Sequence, residues 1–344
     1  METERAKMNG LQGFIAIAIF LQLSTSAPSL SAEFSRCGRA WRRPLFLVLS
    51  LWTRQTYFPS CAIIVRGRNK EMTTSELAYH TVVHAVEAAS GWTPQSRFSS
   101  AVSHVINGHL PYDRYLTAGR ARKGAKTGLD AVEHLVEDWL ATDLNPAIQL
   151  IRSMNQTQKA LQAYNASANL GVCTAAEFSG DSSGPSALIA RRNLCSPSED
   201  PELCRIATMS VLASVMKAVI CNERERLTPK ILTLSDIAVH LGITRSASAD
   251  VAFVFEVEGY IPIGAVARTI GCHQRTLERR LRQEGLTAEV IRTATRLIRA
   301  TKRLRGSDSL TTIALEEDFS DQAQMTRTFR SSTGLSPSML RTLS

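Results

Sequence analysis

No Cys-x-x-Cys pair occurs among the seven cysteines (Cys37, Cys61, Cys173, Cys195, Cys204, Cys221 and Cys272), and the odd count leaves one over. That usage argues against a disulfide framework or a zinc ribbon and fits reduced thiols in a cytosolic chain. There is no glycine-rich loop of the phosphate-cradling kind. A match to Gly-x-Ser-x-Gly, Gly180–Gly184, lies between Ser179 and Pro185 in a polar stretch. A nucleophile elbow needs an apolar strand before it and a helix directly after, so this match reads as linker. His80 and His84 stand at a metal-chelating spacing, but no Glu follows His80 and no third ligand is evident. A pair on a helix surface or at an interface is expected there, not a metal site. The apolar patch Leu45–Leu51 is too short to span a membrane. These absences leave no catalytic residue, cofactor or metal ligand to assign, and the chain is not expected to be an enzyme.

What is present is organised by charge. Residues 262–344 hold 14 Lys and Arg against 8 Asp and Glu, residues 72–261 hold 16 against 19, and residues 1–71 hold 10 against 4. A basic C-terminal segment is what phosphate contact requires, provided the fold presents the charge. In 1–71, Arg5 and Lys7 precede the apolar run Phe14–Leu23 and then Ser24–Glu33, which together look like a secretory leader. Export conflicts with DNA contact, so translation beginning at Met72 is expected, with 1–71 outside the folded protein. A tether to the membrane and an ordinary unstructured tail are the other two readings.

The middle, 72–261, reads as mostly helical. Helices are expected over Ser75–Ala89, which is amphipathic, over Ala131–Leu140, and over Pro146–Tyr164 as one element. Loops are expected at 119–128 and 179–186. A strongly apolar helix opens after Asp200-Pro201 and runs from Glu202 to about Cys221, more plausibly a core or dimer helix than a membrane span. Val251–Val257 fits both an alternating strand and a helical stripe.

The last part of the chain carries two helix-turn-helix signals. In Ile263–Leu281, Ala267 supplies the small residue where the helices cross, Gly271 the positive-φ turn and Leu277 the inner apolar anchor. The second helix then turns Gln274, Arg275, Thr276, Glu278, Arg279 and Arg282 outward, side chains able to bond base edges and phosphates. In Leu310–Arg330, Ile313 and Ala314 take the inner positions, Phe319 anchors the turn and Ser320 is the expected N-cap. Asp321, Gln322, Gln324, Thr326, Arg327 and Arg330 point outward there, with Met325 and Phe329 inward. Between the signals, Thr287–Arg305 would span about 28 Å as a helix, close to the roughly 34 Å between successive major-groove faces. Leu234–Ala247 repeats the Ala-to-Gly spacing through Ala238 and Gly242. Ser248 stands where Leu277 would, so a small helical turn is expected there instead of a third reader.

The segments IGAVARTIG, RTLERRL, EGLT, FSDQAQMTRTFR and TGLSP together resemble the AraC/XylS family of transcription regulators over roughly the final quarter of the chain. His273, Glu317, Asp318 and Met325 depart from the residues usual in that family, where Ser, an apolar residue, Gly and Phe are found. The resemblance implies a helix in place of the ambiguous Val251–Val257 and a mainly α fold. Two helix-turn-helix units joined by a long helix would occupy 262–344, preceded over 72–261 by a helical or α+β sensor and dimerisation domain. It further implies a cytoplasmic, sequence-specific regulator that binds double-stranded DNA, responds to a small-molecule effector, forms a homodimer and contacts RNA polymerase. The alternative is a helix-turn-helix adaptor for protein partners.

Overall fold

The computed structural model describes residues 16–20, 47–48, 77–88, 92–121, 129–168, 173–179, 187–193 and 202–343. Six strands lie among them: β1 (Ala16–Phe20), β2 (Leu47–Val48), β3 (Leu77–Tyr79), β4 (His109–Pro111), β5 (Cys173–Ser179) and β6 (Ala187–Asn193). The chain divides into two units. Met1–Met72 with Cys173–Pro197 carries a four-stranded antiparallel sheet of order β2-β1-β6-β5. Ala18 lies opposite both Val48 and Ile189, and Ala176 opposite Ala190. The apolar run read as leader-like therefore contributes strand β1. Of the loops expected at 119–128 and 179–186, 122–128 and 180–186 lie outside the described residues, while 119–121 form the end of the helix Tyr112–Ala121 and Ser179 ends β5.

The second unit, Thr73–Val172 with Ser198–Ser344, is helical apart from the β3–β4 pair. Its first helices are α1 (His80–Ala88), α2 (Pro94–Ile106), α3 (Tyr112–Ala121), α4 (Leu129–Leu140), α5 (Pro146–Arg152) and α6 (Thr157–Ala168). Then come α7 (Glu202–Glu225), α8 (Leu234–His240), α9 (Ala247–Glu258), α10 (Ile263–Thr269) and α11 (Gln274–Gln283). The last are α12 (Ala288–Leu304), α13 (Leu310–Glu316), α14 (Gln322–Thr333) and α15 (Pro337–Leu343).

Two helix expectations need correction. The helix expected over Ser75–Ala89 begins at His80, because Leu77–Tyr79 pairs with β4. Nor is α1 amphipathic: every residue from His80 to Val86 is buried, with α3, α4 and α7 packed around it, as for a helix covered on all sides. Pro146–Tyr164 is two helices. Asn222 of α7 donates its amide to the carbonyls of Arg152 (2.7 Å) and Met154 (3.0 Å), satisfying backbone that a continuous helix would have used itself.

The burial of α1 also overturns the surface pairing of His80 and His84. Both are fully buried, and His104 of α2 joins them. His84 and His104 meet through their Nε2 atoms, beside the rings of Trp92 and Trp139. Glu87 Oε2 lies 3.1 Å from His84 Nδ1 and calls for the proton there. His84 Nε2 then accepts from His104 Nε2–H. Burial lowers the His84 imidazole to about 4 and takes His104 well below its ordinary value. His80 Nε2 lies 3.3 Å from Asp143, which also accepts from Thr81 Oγ1 (2.7 Å) and Trp139 Nε1 (3.2 Å). No group of three or more residues suited to a metal ion occurs among the described residues.

Among the described residues α7 alone is long and apolar enough to cross a membrane, with mean hydropathy 1.7. It packs against α1, α3, α4, α5 and α6, and 56% of its apolar window is buried, so it serves as a core helix. The Val251–Val257 ambiguity resolves as helix: α9 turns Val251, Val254 and Phe255 inward and leaves Phe253 and Val257 exposed. Helix α2 joins the two halves of this unit. Phe98, Ala101, Val102 and Val105 recur at helical spacing and share one core with Ile291, Ala294, Leu297 and Ile298 of α12.

Candidate DNA-recognition surface

The same turn is built at both predicted sites. In the first, Gly271 adopts φ +76° after α10, and the Cys272 N–H returns to the Ala267 carbonyl at 2.9 Å. In the second, Asp318 adopts φ +59° after α13, and the Phe319 N–H returns to Ala314 at 2.9 Å. Asp enters the left-handed region more readily than most residues because its short polar side chain can bond locally. The helices that follow are held by apolar anchors, Leu277 and Leu281 on α11 and Met325 and Phe329 on α14, all buried.

Each second helix is capped by a side chain. His273 Nδ1 accepts from the Arg275 N–H at 3.2 Å. Ser320, the expected cap of α14, is not the cap. Asp321 caps instead, accepting from the Gln324 N–H at 2.5 Å, while Gln324 Oε1 accepts from the Ser320 N–H at 2.6 Å. This reciprocal arrangement commits Asp321 and Gln324 to the helix start.

Of the remaining candidates, Gln274, Arg275, Arg279 and Arg282 are exposed on α11 and Thr276 is half-buried. Gln274 donates to Glu278 at 2.8 Å, and Arg282 lies 3.7 Å from the same carboxylate. On α14, Gln322 and Arg327 are exposed and Thr326 is half-buried, its hydroxyl donating to the Gln322 carbonyl at 2.8 Å. Gln322 Oε1 accepts from Thr311 at 3.0 Å, which leaves its amide N–H groups outward. Arg275, Arg279 and Arg327 form no ion pair among the described residues. Arg268, Arg280 and Arg330 are exposed beside them. Of these three, Arg268 and Arg280 were not singled out from sequence.

The linker helix behaves differently from its composition. At 17 residues α12 spans about 26 Å. Its arginines Arg292, Arg296, Arg299 and Arg303 form a stripe that is used inside the protein. Arg292 donates to the Ile261 carbonyl at 2.9 Å, Arg296 pairs with Asp318, Arg299 with Glu317 at 2.7 Å, and Arg303 with Asp308 at 2.6 Å and with Glu316. The acids in these pairs belong to the same segment, so the net excess counted in 262–344 rests on cations other than Arg296, Arg299 and Arg303. Among the described residues, exposed cations outside these pairs include Arg268 on α10, Arg275, Arg279 and Arg280 on α11, Lys302 on α12, and Arg327 and Arg330 on α14. Glu317, 2% exposed, also accepts from the Tyr260 hydroxyl at 3.0 Å. Burial and the Glu317 charge push that phenol up, so it stays a donor.

Glu284, just past α11, gathers a second group of bonds. Its carboxylate accepts from Gln95 Nε2 of α2 (3.2 Å), the Ala247 N–H (2.8 Å), the Ser248 N–H (2.9 Å), and the hydroxyls of Ser246 (2.9 Å) and Ser248 (2.5 Å). Ser248 is thereby buried without penalty at the position where Leu277 sits in the first unit. The α8–α9 pair repeats the turn, with Gly242 at φ +66° and the Ile243 N–H on Ala238 at 2.9 Å. Helix α9, however, exposes Asp250, Phe253, Val257 and Glu258, a surface without a cation for phosphate.

The family model described as a helix-turn-helix domain matches residues 266–342. This segment is a helix-turn-helix domain of the AraC type. The four departures in the AraC-type domain each have a structural answer: His273 caps, Asp318 turns, Glu317 is paired, and Met325 is fully buried as an inner anchor. A crystal structure described as the transcriptional regulator CdpR from Pseudomonas aeruginosa is similar at 16% identity. The similarity covers 76% of this chain and 97% of that one, with a TM-score of 0.28. No curated protein matches the chain.

Proposed function

We propose that this protein is a sequence-specific transcription regulator that sets α11 and α14 in successive major-groove segments of duplex DNA. The observation that carries the reading is the pairing of two identical turns with unpaired arginines on the helix after each: Arg275 and Arg279 on α11, Arg327 on α14. Arg275, Arg279 and Gln274 contact bases or phosphates in the first segment, with Thr276 and Arg282 at the margins. Gln322, Arg327 and Thr326 act in the second, where Ser320, Asp321 and Gln324 hold the helix start against the phosphate backbone. Residues 72–261 sense a small-molecule effector, dimerise, or do both, and the protein works in the cytoplasm with RNA polymerase as the downstream partner.

The test is selection of duplexes from a random pool by the full-length protein, followed by titration of the selected sequence across salt concentrations. A DNA reader gives log K falling linearly with log salt, because each phosphate neutralised releases counterions. Enrichment of no sequence, with no salt dependence, would sink the reading in favour of a protein adaptor.

A further inference from the structure

We infer that Glu317 is a positioning residue that sets the orientation of the second reading helix relative to the first. The inference rests on the DNA-binding reading above and assigns the residue that makes a two-segment site readable in register. Three parts of the fold meet at its one carboxylate. Glu317 itself ends α13 in the second unit. Arg299, 2.7 Å away, stands on the outer face of the connecting helix α12. Tyr260, donating at 3.0 Å, lies in the segment between α9 and α10 that leads into the first unit. Arg303 adds a second guanidinium 3.7 Å from the other carboxylate oxygen.

The turn does not itself require this carboxylate. Glu317 immediately precedes the positive-φ residue Asp318, and the residue in that place in the first unit is Ile270, ahead of Gly271. The same turn therefore forms around an apolar side chain, and something other than turn formation accounts for a buried charge here. Apolar contacts in that place would tolerate sliding and rotation. A carboxylate bonded from two directions tolerates little of either, because a small rotation leaves a buried charge unpaired.

The surroundings stiffen the same junction. The Tyr260 ring lies beneath the guanidinium carbons of Arg296 (5.4 Å) and Arg299 (5.6 Å). Arg296 pairs with Asp318, the neighbouring turn residue, and Arg292 holds the Ile261 carbonyl at 2.9 Å. The α12 arginine stripe thus ties the residue before α10 and the residues after α13 to one face of one helix.

The experiment uses full-length protein and a duplex selected by the wild type, in three versions: intact, with the second segment scrambled, and with base pairs inserted between the segments. The variants are Tyr260→Phe, which removes one donor and keeps the ion pair, and Glu317→Gln. Thermal unfolding is recorded for each. The expected result is a loss of about tenfold or more on the intact duplex, with binding to the scrambled version unchanged and the penalty for insertions flattened. Equal losses on intact and scrambled duplexes, or unchanged binding to all three versions, would overturn the inference while leaving the DNA-binding reading in place. Should Glu317→Gln fail to fold, Tyr260→Phe alone decides between these outcomes. A wild type that selects no duplex would overturn the underlying reading itself.

Discussion

The side-chain amide of Asn145 donates to the Ser332 carbonyl at 2.9 Å, fastening the last turn of α14 to the start of α5. The same amide nitrogen reaches the His104 carbonyl at 3.2 Å, so the second reading helix ends against the backbone that carries the buried histidines. Gly108 permits the approach: a Cβ there would lie 1.7 Å from the Ser332 carbonyl oxygen, backbone that cannot step aside. Gly108→Ala is accordingly expected to destabilise the protein by about 1–3 kcal/mol through overpacking. Urea unfolding followed by circular dichroism measures it, and a stability equal to wild type would show that the junction is looser than drawn.

Removing an arginine proposed to contact DNA should act on affinity and leave the fold alone. Arg279→Ala takes away an exposed side chain with no ion-pair partner among the described residues, so its unfolding midpoint should not move. Its affinity for a selected duplex should fall by about 1–3 kcal/mol if it reads a base. If it holds phosphate instead, the fall should be uniform across sequences and the salt slope should drop by about 1. Titrations at several salt concentrations separate these outcomes.

Acid should weaken the helical unit through its buried imidazoles. His84 and His104 are neutral in the fold, lowered by burial to about 4 and further, whereas in an unfolded chain both take up protons below about pH 6.5. Between those limits the unfolded state binds more protons, so the free energy of unfolding rises with pH. The stabilisation is complete above the ordinary imidazole range and is lost as pH falls towards 4, by at most about 1.4 kcal/mol per pH unit for each ring. Urea unfolding between pH 7.5 and 4.5 should show the slope, and His104→Gln should reduce it. A flat profile in the wild type would mean that the rings are solvated.

Glu284→Ala should be among the more damaging single changes in the basic domain. It leaves the N-terminus of α9 and two serine hydroxyls without their acceptor, and it cuts the bond to Gln95 of α2. A loss of about 3 kcal/mol or more is expected from unsatisfied donors in a partly buried site. Gln95→Ala removes the α2 amide from Glu284, Ser246 and Ser248 while leaving the Ser99 hydroxyl on the Glu284 carbonyl, and should cost about 1 kcal/mol. The comparison, read by thermal unfolding, shows how much of the effect lies within the domain itself.

The AraC-type domain was legible in sequence because its constraints are local. A small residue, a turn residue and an inner apolar anchor at fixed spacing leave few alternatives, and Ala267, Gly271 and Leu277 meet them as expected. Misreadings arose where partners are distant in the chain. Ser320 and Asp321 are both good caps, and the choice was made by Gln324 folding back. His80 and His84 looked like a surface pair because His104 comes from another helix and α1 is covered on every side. The break after α5 depends on Asn222, far along the chain. The arginines of α12 count towards the basic composition of 262–344, and only the positions of Glu317, Asp318 and Asp308 show that they are occupied within the fold. Strands β5 and β6 lack the alternation that would have announced them.

The shared core of α2 and α12 bears on how the molecule can be taken apart. A fragment cut at the sequence boundary near residue 262 would lose Phe98, Ala101, Val102 and Val105 of α2 and Val251, Val254 and Phe255 of α9 from the core they share with α12, and would expose apolar surface there. The last quarter of this chain is therefore no cassette to be grafted elsewhere. The upstream half and the basic domain meet through a wall common to both, and not along a slack tether.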